Sequence, residues 1–131
     1  MGARIGLSGR QFGVSMGLGA LLWLVAALLL RFLGPLGIYD GTARVWLYLL
    51  IVPGTFPFLL MVERVAGLGR SQVFTGVAVV TMAAMFLDGV ALAWFPGLYG
   101  ASVPLHAGAG GTILWGAAVG MALALWRTRA G

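Results

Sequence analysis

A chain of 131 residues that is 61% hydrophobic and only 8% charged lacks the polar surface of a water-soluble domain, in which about a quarter of residues carry charge. It has no cysteine, which excludes disulfides, thiolate catalysis and cysteine-ligated metal. The net charge of +5 comes from eight arginines that flank apolar runs instead of clustering on a polar face, so it reads as membrane anchoring and argues against a nucleic-acid partner. The absence of lysine and the abundance of Ala and Gly are marks of a GC-rich bacterial genome.

Four apolar runs fill the chain, with spans expected at residues 12–33, 45–62, 72–95 and 107–126. The first follows Arg4 and Arg10 and meets Arg31 near its end. It is too long for the apolar core of a signal peptide and is followed by no small-residue cleavage site, so a retained helix is expected. Gly13 and Gly17, and Ser15 and Gly19, sit four apart and form a small-residue face suited to close helix contact. Gly34-Pro35 ends this helix, and Asp40-Gly41 marks a turn.

The second run contains Pro53-Gly54-Thr55-Phe56-Pro57. Pro53 and Pro57 free the carbonyls of Leu49 and Pro53, so a kinked second helix, or local unwinding that breaks it at the two prolines, is expected. Such a break lines a binding site in many transporters; here a packing kink is the simpler expectation. Arg44, Glu63 and Arg64 bound this run, and Glu63 is expected in a solvated interfacial cluster with Arg64 and Arg70.

The third run organises the rest. Residues 73–95, as a helix rising about 1.5 Å per residue, span about 34 Å, enough to cross a hydrocarbon core of about 30 Å. In lipid only a helix satisfies the backbone of a single such run. It carries one carboxylate, Asp88, inside the hydrocarbon region, which must face protein or water and find a partner. Arg31 and Arg44 lie at the same end of the bundle, so an ion pair from Asp88 to one of them is expected, or else a protonated carboxyl bonded to a neighbouring helix; the functional alternative is an ion, proton or ligand contact. Thr81 and Thr112 extend a polar path only if their hydroxyls leave their own helices. In the fourth run Thr112, Gly116, Gly120 and Ala124 repeat every four residues, a packing stripe for another helix of the chain or a second copy.

Nothing in the sequence builds a catalytic centre. His106 is the single histidine, and there are no paired carboxylates, no nucleophile–base spacing and no phosphate loop. No catalytic residue, metal or cofactor is therefore assigned. With four crossings, Arg4, Arg10, Arg64, Arg70, Arg127 and Arg129 share one side, against Arg31 and Arg44 on the other. This places both termini in the cytoplasm of a bacterial inner membrane. Tyr39, Trp46, Trp94 and Tyr99 then fall near the outer boundary, and Phe12 and Trp126 near the inner one.

Leu87-Asp88, followed by Phe95-Pro96 and Tyr99, resembles the pattern of a family of small uncharacterised bacterial four-helix membrane proteins, a domain of unknown function. The resemblance implies the fold and no activity. The expectation is an all-α, integral-membrane four-helix bundle in the lipid bilayer. Its leading role is non-enzymatic, acting through helix contacts as a homo-oligomer or as an accessory subunit of a membrane complex. The alternative is a small ion, proton or small-solute transporter or channel using Asp88 and the Pro53–Pro57 break.

Overall fold

The computed structural model describes residues 5–130, so Arg4 lies outside the described residues. Four long helices follow in chain order: α1 (Gly9–Leu33), α2 (Gly41–Ala66), α3 (Val73–Trp94) and α4 (Val103–Ala130). Single 3-10 turns, Gly34–Leu36, Arg70–Gln72 and Pro96–Leu98, connect them. Each helix is long and apolar enough to cross a membrane.

The helices overrun the apolar runs because local chemistry sets their ends. Ser8 accepts a bond from the Gln11 amide while the Gln11 side chain accepts from the Ser8 amide, so α1 begins ahead of Phe12. Gly67, at φ 67°, closes α2 with its amide on the Arg64 carbonyl, and Leu68 bonds the Glu63 carbonyl. α4 starts at Val103, since Pro104 is tolerated in a first turn whose amides have no helical partner.

The expected break in α2 is corrected: the helix runs uninterrupted through Pro53 and Pro57. An unwound turn would release several backbone groups into lipid, whereas a continuous helix forfeits only the two bonds that prolines cannot donate. The Thr55 hydroxyl donates to the Ile51 carbonyl at 2.6 Å, so it does not serve the carbonyls freed by the prolines.

α3 makes its broadest contact with α1, then with α4; α2 leans mainly on α4 and touches α1 and α3 sparsely. The α1–α3 contact is close because it is built from small residues. Ser15 and Gly19 are buried, and a Cβ on Gly19 would collide with the Val80 carbonyl and lie 2.7 Å from the Ala83 Cβ. Gly13 and Gly17 are exposed with nothing within 4 Å of an added Cβ, so the close contact within the chain falls on the other pair. In lipid, where apolar burial gives little drive, such backbone approach is what holds helices together.

Two apolar cores result. One gathers Leu18, Leu59, Val62, Val73, Val77, Val80 and Ala124 toward the end where the described chain begins and finishes. The other gathers Ala27, Leu30, Tyr39, Ala91, Tyr99 and Ala109 at the opposite end. Polar bonds lock the first end. The side-chain amides of Gln11 and Gln72 bond each other in both directions, at 3.1 and 3.0 Å, and reach the Gly67 and Gly6 carbonyls. The Phe74 amide donates to the Thr128 hydroxyl, and Arg127 pairs with Glu63 through both carboxylate oxygens. Glu63 thus belongs to α2–α4 packing and not to a solvated cluster with Arg64 and Arg70.

Gly19→Ala is expected to lower stability by about 1–3 kcal/mol through overpacking, while Gly13→Ala and Gly17→Ala leave it unchanged or slightly raised; thermal unfolding in detergent measures all three. Ser15→Ala should be neutral or stabilising, because the buried Ser15 hydroxyl has no hydrogen-bond partner among the described residues.

Candidate ligand site at Asp88

The chain after α3 is folded to carry one aromatic side chain back into the bundle. Phe95 leaves the helix, Pro96 opens a 3-10 turn, and the Tyr99 amide closes on the Pro96 carbonyl at 3.0 Å. Gly100, at φ 148°, then turns the chain toward α4, a conformation that side chains rarely adopt. Tyr99 consequently points inward and is the largest fully buried side chain of the described residues.

Its hydroxyl joins three elements. It donates to Asp88 Oδ1 at 2.5 Å and accepts from the Trp23 indole Nε1 at 3.0 Å. Asp88 is half-buried, and no other hydrogen bond from the described residues reaches its carboxylate. The expected ion pair is therefore corrected. Among the described residues the single ion pair is Arg127–Glu63, at the other end of the bundle. Arg44 instead donates from Nε to the Tyr39 carbonyl at 2.6 Å, and Arg31 is exposed. A guanidinium drawn inward would surrender its hydration, whereas a phenol hydroxyl loses far less when buried.

Tyr39 and Tyr99, in the connections between helices, turn their rings into the bundle. The Tyr39 ring occupies the space that a side chain at Gly108 would need, and its buried hydroxyl has no hydrogen-bond partner among the described residues. Trp46 and Trp94, in contrast, are exposed on the bundle surface. His106 Nε2 donates to the Gly100 carbonyl at 2.8 Å and so braces the turn that delivers Tyr99. Among the described residues no three of His, Asp and Glu come close enough to hold a metal ion.

Asp88 forms part of the wall of a crevice of about 420 Å³ between the helices. Leu22, Trp23 and Leu29 of α1, Ile51, Thr55 and Phe58 of α2, Val80 and Thr81 of α3, and Thr112, Gly116 and Ala117 of α4 also line it. The lining is overwhelmingly apolar. The Thr55 and Thr112 hydroxyls donate to carbonyls of their own helices, so they extend no polar path. Val25, Leu29 and Leu33 of α1 and Phe58 of α2 line the space while remaining exposed, which puts its mouth along the sparse α1–α2 seam.

The crevice exists because the α4 stripe does not close on a neighbour along its whole length. Thr112 and Ala124 are buried, and Gly120 would place a Cβ 3.8 Å from the Thr55 methyl. At Gly116 an added Cβ would meet nothing within 4 Å. Sequence reasoning singled out Asp88 but missed Trp23 and the inward course of Tyr99. The available signal was the Phe95-Pro96 and Gly100 bracket around Tyr99. No family model, curated protein or solved structure matches the chain.

Tyr99→Phe removes a hydroxyl that serves Trp23 and Asp88 together and is expected to destabilise by about 1–3 kcal/mol; Trp23→Phe should cost less. The fall in unfolding temperature reads both. Burial first, and then the bond to Asp88, holds the Tyr99 phenol far above its ordinary range. Burial likewise raises Tyr39. A phenol whose pKa is raised by folding adds stability below its unfolded value, about 10, and loses it as pH rises. The unfolding temperature of the wild type should therefore fall above about pH 10, with Tyr99→Phe showing a smaller fall.

Proposed function

We propose that this multi-pass membrane protein binds a small lipophilic molecule between its helices, as a non-enzymatic carrier or membrane-embedded receptor for that solute. The observation that carries this reading is a crevice of about 420 Å³ that reaches a carboxylate with no cationic partner among the described residues. Its volume lies within the range of small-molecule sites, about 300–1,000 Å³, and an apolar lining with few polar groups is their usual chemistry. A hydrated ion path is disfavoured, because the wall offers an ion little to replace its water shell. The mouth between α1 and α2 favours entry from the bilayer. The arginine-rich end is taken as cytoplasmic, in a bacterial inner membrane.

A second reading, assembly through helix contacts, draws on Gly13 and Gly17, which nothing among the described residues covers. It is compatible with the first, since those glycines do not line the crevice.

Photolabelling with a small diazirine-bearing hydrocarbon, read by peptide mapping, tests the ligand site. Label is expected on Ile51 and Ala117 inside the crevice as well as on the outward-facing Leu21. Gly116→Phe, introduced where nothing opposes a larger side chain, should remove the internal label at least tenfold and leave Leu21 labelled. Internal labelling that survives in a folded Gly116→Phe variant contradicts the reading.

A further inference from the structure

We infer that the molecule received by this crevice is an organic cation with a lipophilic body, held by the Asp88 carboxylate; the inference rests on the crevice being a ligand site. The chain has three acidic residues. Glu63 is neutralised by Arg127, and Asp40 lies on the exposed connection before α2. Asp88 alone of the three faces the crevice, and among the described residues no arginine comes within ion-pair distance of it. Tyr99 engages Oδ1, and Oδ2 takes no hydrogen bond from the described residues.

A carboxyl group in apolar surroundings either holds a proton or meets a counter-charge, so the wall favours a cationic occupant over an anionic one. An anion would meet the carboxylate directly, and a neutral occupant would leave its charge without a counter-charge. A metal ion is a poor match. Hard cations demand about six oxygen ligands, and beyond one carboxylate the wall offers threonine hydroxyls, of which Thr55 and Thr112 already donate to backbone. A weakly hydrated organic cation needs no such shell. Its hydrocarbon body matches Leu22, Ile51, Phe58 and Val80, and the Trp23 indole on the same wall is a surface of the kind that attracts such charges.

Tetraphenylphosphonium and tetraphenylborate share a shape and differ in the sign of charge, so the pair isolates the inference. Binding of each to the purified protein in nanodiscs, corrected for partition into empty discs, is compared for wild type, Asp88→Asn and Gly116→Phe. The wild type should bind the phosphonium at least tenfold more tightly than the borate. Asp88→Asn should remove most of that preference while keeping wild-type folding by circular dichroism, and Gly116→Phe should weaken the phosphonium by tenfold or more. Equal affinity for the two ions, or an undiminished preference in Asp88→Asn, overturns the cation assignment and leaves the crevice as a ligand site. Binding of neither ion also overturns it, and the hydrocarbon photolabelling then decides separately whether the crevice admits a ligand.

Discussion

A polar group inside a bilayer has no water to fall back on, and the placement of this chain's few polar side chains follows from that constraint. At one end the Gln11–Gln72 amide pair, the Thr128 hydroxyl and the Arg127–Glu63 ion pair tie all four helices together. Toward the other end Tyr99 descends between α1 and α3 to meet Trp23 and Asp88. These two polar ties sit at different depths, so the bundle is fixed near its ends and left to apolar contact between them.

That middle zone is where the helices are least alike in their packing. α1 and α3 close on each other through Ser15, Gly19, Val80 and Ala83, a contact in which one added methyl is excessive. α2 touches both only sparsely, and Gly116 of α4 faces open space. A tight pair of helices set against a looser pair leaves room for a guest.

Much of this was legible in the residues. Four apolar runs with arginines at their ends define the crossings, and the length of the third run sets the depth of Asp88. The helix ends were less legible, since the Ser8–Gln11 box and Pro104 extend helices into stretches that composition marks as loop. The partner of Asp88 is not legible in spacing, because charge complementarity points to Arg31 and Arg44, whereas burial favours the neutral donor that is cheaper to dehydrate. Spacing alone likewise treats Gly13 and Gly17 as equal to Ser15 and Gly19. Which pair faces α3 depends on the rotation of α1 about its axis, which is a property of the whole bundle.

The account turns on the interior beside Gly116 being open to apolar molecules and closed to water. The chain contains no cysteine, so a nitroxide attached to a single cysteine replacing Gly116 reports on that one place. Power-saturation electron paramagnetic resonance in lipid should show high collision rates with dissolved oxygen and low rates with a water-soluble nickel chelate. Strong relaxation by the chelate would mean a hydrated passage, and insensitivity to both would mean a closed core; either result contradicts the account.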